Sequence, residues 1–204
     1  MGILSGALSG ARFRVEGELP AGFRGVFRDR LNATAFQEPP QGQGKEEVEG
    51  WVLTQNLLDT DFTDLNRWLI QDYALLALRV DKKRLPARLF RATLEKRVQA
   101  WCAERGLERC PAAVKNELKD NLEAEWLARS LPSVGVTEAV WSIEGRYLVL
   151  GTHSESTTDR FRKRFLQTFG LHLVPWSPLD WLATSADVEA LIAQVPADVS
   201  LGGA

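Results

Sequence analysis

At Asp81 the spacing of apolar residues changes from that of a strand to that of a helix, and after Pro132 it changes back. Upstream, Tyr73-Ala-Leu-Leu-Ala-Leu-Arg-Val80 is a short, nearly continuous apolar run, the pattern of a buried strand. Downstream, Glu138-Ala-Val-Trp-Ser-Ile143 and Arg146-Tyr-Leu-Val-Leu150 read as two strands. Between them Phe90, Leu94, Val98 and Trp101 recur every three or four residues, with Arg88, Arg91, Glu95 and Gln99 on the other side. Gly106 ends this helix, expected over residues 87–104, and Pro111 starts a second one running to Arg129, with Val114, Leu118, Leu122 and Trp126 inward. The chain must therefore form a sheet interrupted by a helical hairpin.

The flanks supply the rest of that sheet. A first strand is expected over residues 7–15, followed after Pro20 by an amphipathic helix with Phe23, Val26, Phe27 and Leu31 inward. Residues 37–50, rich in Pro, Gly, Gln and Glu, read as a loop, and Gly50-Trp-Val-Leu53 as a short strand. Glu144-Gly145 marks a tight turn, with the glycine expected at positive φ. Ser156 or Thr157 is expected to cap a helix through Thr168, with Phe161, Phe165, Leu166 and Phe169 inward and Gly170 closing it. Residues 171–175 form a further strand, and residues 186–195 suit a last helix. The fold class is α+β: a mixed or antiparallel sheet with packed helices and an inserted hairpin, each flank supplying half the sheet. Residues 1–81 and 133–184 are expected to form the central domain, residues 82–132 the hairpin tip, and residues 185–204 a C-terminal tail.

With 204 residues, 45% of them hydrophobic and 25% charged, the chain has the composition of a folded domain. Its start lacks the pattern of a signal peptide, and no apolar run approaches the ~20 residues of a membrane span, so a soluble, cytoplasmic protein is expected. Seven tryptophans imply core packing or a contact surface.

Catalytic patterns are missing. His153 stands beside Ser154 and Ser156 but outside any Gly-x-Ser-x-Gly elbow, and a structural or solvated role is expected. His172 reads as a sheet-surface residue. Glu46-Glu47 falls in the loop and reads as a solvated acidic patch. Asp59, Asp61 and Asp64 lack the glycine and final glutamate of a calcium loop. Cys102 and Cys110 have the spacing of neither a zinc site nor a redox motif. No enzyme, metal or cofactor is expected.

Charge is distributed unevenly. The chain carries a net −2, yet residues 82–119 hold eleven basic residues against four acidic ones, a net +7. Arg160, Arg162, Lys163 and Arg164 form a second cluster, while acids gather between Glu38 and Asp72. A basic segment on a neutral protein can hold phosphates locally, since salt limits its reach to about 10 Å. The alternative is a solvated helix face whose cations pair with nearby Glu. No helix-turn-helix, zinc-finger or RNA-recognition pattern appears, so base-specific reading is not expected.

Several of these segments, in order, carry a resemblance. They are Gly50-Trp51-Val52, the stretch from Leu85-Pro86 to Val98, Lys115-Asn-Glu-Leu-Lys-Asp120, Val140-Trp141, Leu173-Val174-Pro175 and Asp180-Trp181-Leu182. Together they resemble the RdgC family of recombination-associated proteins, most closely between Leu85 and Trp181. The resemblance implies a DNA-binding protein without strong sequence preference that acts on double and single strands and antagonises the RecA recombinase. It implies a crescent with a helical tip, a homodimer, and nucleoid association. It places DNA contact on Arg88, Lys115, Lys119, Arg129 and Arg109, and with the charge count extends the candidate surface to Lys82, Lys83, Arg84 and Arg91. Longer family members continue past the position of Trp181, so a short, C-terminally truncated member is expected, with ring closure open. The family's tip also carries an aromatic after the second helix, where Arg129-Ser130-Leu131-Pro132 offers Leu131. A protein–protein interaction module on the same scaffold, without DNA binding, is the competing expectation.

Overall fold

The computed structural model describes residues 9–38 and 47–176. The expected tail, the last helix over residues 186–195, and residues 7–8 of the expected first strand lie outside them; residues 9 and 10 are not strand, which opens only at Ala11. The described elements are β1 (Ala11–Glu16), α1 (Phe23–Ala33), β2 (Glu47–Val52), β3 (Leu69–Ile70), β4 (Tyr73–Lys82), α2 (Ala87–Arg105), α3 (Ala112–Arg129), β5 (Ser133–Ser142), β6 (Tyr147–Leu150), α4 (Glu155–Phe169) and β7 (His172–Pro175). The fold is α+β. The seven strands form one sheet in the order β2-β4-β5-β6-β1-β7, with β3 pairing on β4, and every pairing between these strands is antiparallel.

That order corrects the expectation that each flank of the hairpin supplies its own half-sheet. β1 crosses over to lie between β6 and β7, pairing Phe13 with Leu148 on one side and Pro175 on the other. Interleaving gives the two short C-terminal strands a partner that neither could supply.

Alternation along the strands gives the sheet one strongly apolar face. Trp51 pairs with Leu78, Ala74 with Trp141, Trp141 with Leu148, and Val15 with Leu173, so large apolar residues run across the strands. α1 and α4 cover this face. Phe27 of α1 meets Phe169 of α4 edge-on at 5.0 Å between ring centres, and Trp141 meets Phe165 at 5.2 Å. Trp51, Trp68 and Trp141 are among the largest fully buried side chains, which settles three of the seven tryptophans as core. The other face holds a smaller cluster of Phe36, Val52 and Ala77, bordered by a buried Arg79–Asp81 pair joined by two bonds of 2.7 and 2.6 Å.

Three local expectations need correction. Gly145 does not take the positive φ of its turn; Arg146 does, at 55°. The glycine is there for space, because a Cβ would lie 2.6 Å from Ser142 Oγ, which itself accepts from the Gly145 N–H at 3.1 Å. Ser154, not Ser156 or Thr157, stands at the N-cap of α4. Leu166 is exposed and Thr168 is buried instead, since its hydroxyl accepts the indole N–H of Trp51 at 2.8 Å. The glycines at the ends of α2 and α4 behave as expected, with φ of 62° at Gly106 and 72° at Gly170.

The Trp51–Thr168 bond ties the central aromatic cluster to its covering helix. Thr168→Val keeps the side-chain shape and leaves the buried N–H without a partner, an expected loss of about 1–3 kcal/mol. Urea unfolding followed by Trp fluorescence should show it as a lower midpoint at unchanged slope.

Candidate nucleic-acid interface

α2 and α3 leave and rejoin the sheet at adjacent points. Lys82, the last residue of β4, pairs across the ladder with Ser133, the first of β5. The two helices meet through Phe90 and Trp126, edge to face at 5.7 Å, and through an Arg97–Glu125 ion pair at 2.6 Å. That bond holds the Glu125 carboxyl below the usual carboxylate range. At 1.5 Å per residue the 19-residue α2 is about 28 Å long, enough to follow about eight nucleotides at 3.4 Å per phosphate.

The nine candidate cations divide into two groups. Arg84, Arg88, Arg91, Arg109, Lys115 and Lys119 are exposed, and none makes an ion pair or side-chain hydrogen bond among the described residues. Arg91 and Lys115 come together from opposite helices at the edge of a groove of about 280 Å³ whose floor includes Leu94 and Val98. The other three are engaged. Lys82 pairs with Glu47 at 2.8 Å, Arg129 with Glu125 at 3.2 Å, and Lys83 donates to the Leu127 carbonyl at 2.6 Å, fastening the hairpin's foot. The charge also falls off along α3. Asp120, Glu123, Glu125 and Arg129 bring residues 82–132 to twelve basic against seven acidic, a net +5.

Three of the four cations of the second cluster work as fasteners, and Lys163 is exposed. Arg160 pairs with Glu47 and Glu49, Arg162 donates to the Leu173 carbonyl at 3.1 Å, and Arg164 to the Thr34 carbonyl at 2.9 Å. Glu47, read from sequence as part of a solvated loop, instead opens β2 and bridges Lys82 and Arg160. Its alternation with Glu49 and Trp51 was the signal that the strand starts earlier.

Most of the remaining chemistry-bearing residues have structural partners. His153 is exposed, with Nε2 2.8 Å from Ser9 Oγ, while Ser154 Oγ lies 3.3 Å from Ser156 Oγ. His172 is exposed at the sheet edge. The Asp59 carboxyl sits below its usual range because the Asp61 N–H and then Arg67 donate to it; Asp61 accepts from the Thr63 N–H, and Asp64 from the Asn66 N–H at 3.0 Å. Among the described residues no three His, Cys, Asp or Glu are placed to hold a metal ion. Cys102 and Cys110 are half-buried beside the hairpin turn; burial first, and Cys102 second, pushes the Cys110 thiol up. No described helix is long and apolar enough to cross a membrane.

A family model described as "Putative exonuclease, RdgC" matches residues 12–191, most of the chain, and takes in all of α2 and α3. No curated protein matches the chain.

The interior of the hairpin is thinner than its periodicity suggests. No residue of α2 is buried, and in α3 only Leu122 and Leu127 are; Val114, Leu118 and Trp126 stay half-buried. Two helices without a third layer share a single apolar stripe, so most inward residues keep one side open. Leu122→Ala is expected to cost about 2–5 kcal/mol of hairpin stability. Amide exchange should speed up across α2 and α3 while the central β4 amides keep their protection.

Proposed function

The chain belongs to the RdgC family, and on that premise we propose that it is a non-enzymatic, sequence-independent DNA-binding protein with a role in recombination, restraining the RecA recombinase by occupying its DNA. The observation that carries this reading is the set of six exposed, unpaired cations on the hairpin and at its foot. An ion-paired helix face would have spent those charges on neighbouring acids. Free guanidinium and ammonium groups bind phosphate oxygens and release the counterions condensed on the duplex. The sequence carries no pattern of a base-reading motif, so phosphate contact would fix position without choosing sequence. Nucleoid association follows from such binding, and the homodimer expected of the family is part of the same proposal.

Fluorescence anisotropy with a random-sequence duplex tests the reading. Six phosphate contacts give a log–log salt slope of about −5. Arg88→Glu, Lys115→Glu and Lys119→Glu together should weaken binding at least a hundredfold at low salt with unchanged circular dichroism. A wild-type protein that ignores duplex and single-stranded DNA at low salt would sink the proposal and favour an interaction module.

The family's description favours a second reading, exonuclease action. Metal-assisted phosphodiester cleavage calls for carboxylates gathered about the cations, and the acids of the hairpin are instead dispersed or ion-paired. Incubating end-labelled DNA with the protein and Mg²⁺ or Mn²⁺ decides between them. Full-length label is the expected result; progressive shortening that tracks the protein through purification would establish the nuclease.

A further inference from the structure

β4 and β5 run on past the first turn of α4, and where the helix stops covering them a cleft of about 490 Å³ opens. It adjoins the feet of the hairpin. Three cations from separate segments line it, Lys82 from β4, Arg84 from the connection to α2, and Arg160 from α4. Hydroxyl side chains supply much of the remaining wall, among them Ser133, Thr152 and Ser156. The first turn of α4 also borders it, and no side chain caps that turn's N–H groups. Cations, hydroxyl donors and open helix N–H groups together suit a tetrahedral oxyanion.

One carboxylate beside the cleft already engages two of its cations. Glu47 takes Lys82 at 2.8 Å and also Arg160, while Glu49 holds Arg160 at 3.4 Å and Arg164 at 4.0 Å. Arg84 is left with no ion pair or side-chain hydrogen bond among the described residues. Glu155, in the first turn of α4, is exposed and does not line the cleft.

We infer that the cleft is a second phosphate seat, taking a phosphodiester of the bound DNA, and that the Glu47 carboxylate, from beside the cleft, engages Lys82 and Arg160 until DNA takes them over. The inference rests on the DNA-binding reading and deepens it, since it extends the contact from the hairpin onto the body. Partly exposed ion pairs such as Lys82–Glu47 are weak, so the carboxylate can be exchanged. A purely structural role for Glu47 predicts the opposite sign on removal, because the cleft would lose order and gain nothing for DNA.

The full chain and two variants test this by anisotropy with a fluorescent oligonucleotide at several salt concentrations. Glu47→Gln keeps the shape and removes the competing charge. It should tighten binding about three- to tenfold at low salt and steepen the log–log salt slope by about one. Arg84→Ala, at an exposed unpaired position, should weaken binding by a similar factor and flatten the slope by about one. In thermal melts at constant ionic strength, inorganic phosphate should raise the melting temperature of wild type and Glu47→Gln more than that of Arg84→Ala. DNA affinity unchanged in both variants overturns the seat and leaves the hairpin reading standing on its other five cations. Weaker binding by a folded Glu47→Gln overturns the displacement. A phosphate effect equal in all three proteins shows that phosphate binds elsewhere and overturns the seat. Should Glu47→Gln fail to fold, the phosphate melts of wild type and Arg84→Ala decide, an equal shift in both overturning the seat. A wild type blind to DNA overturns this inference together with the reading beneath it.

Discussion

The ladder between β4 and β5 is the constraint on which the rest of the structure depends. It runs for ten paired positions, from Tyr73 opposite Ser142 to Lys82 opposite Ser133. Both strands are internal to the sheet, with β2 outside one and β6 outside the other. Along its length the ladder presents Leu76, Leu78, Ala139 and Trp141 to the helices, and at its far end it fixes the two feet of the hairpin side by side. A slip of one residue would turn the apolar row outward and displace one foot. The buried Arg79–Asp81 pair strengthens the end where the hairpin leaves, because an unpaired charge there would cost several kcal/mol.

Joining two adjacent strands through a long excursion is affordable only because closure entropy grows slowly with length. The two helices pack on one another through Phe90 and Trp126, and the sheet asks of them only that the chain return to Ser133. Body and hairpin can therefore differ sharply in how they use charge. In the body, arginines act as fasteners: Arg30 donates to the Phe169 carbonyl at 3.1 Å, Arg146 to the Gly17 carbonyl at 2.5 Å, and Arg162 and Arg164 hold α4. On the hairpin most candidate cations have no such task. A net charge of −2 hides this, because the total counts spent and unspent charges alike.

Most elements were legible in the sequence because one period or the other dominates each of them. The hairpin, the run of residues 73–82 and the aromatic face of α4 fall in this group. What was not legible depends on contacts distant along the chain. Nothing local tells β1 that its partners are β6 and β7. Leu166 and Thr168 are both consistent with the helical period, and only the indole of Trp51 selects the threonine. Glu47 looks like loop because its neighbours are polar, yet its partners, Lys82 and Arg160, lie 35 and 113 positions away. The free cations of the hairpin were legible as a count and illegible as a surface, since pairing decides which of them remain available.

The hairpin's thin interior and its excess charge bear on one another. Only Leu122 and Leu127 are buried in a segment of net +5, so apolar burial there works against self-repulsion with little to spare. Phosphate contact would relieve that repulsion in the folded hairpin more than in an extended chain, where the same cations stand further apart. A ligand that favours the folded form stabilises it by mass action. On the proposed function, DNA is then part of what holds the hairpin together, and the sheet supplies the fixed feet. A better-packed hairpin would need apolar surface in place of some of the cations that make it useful.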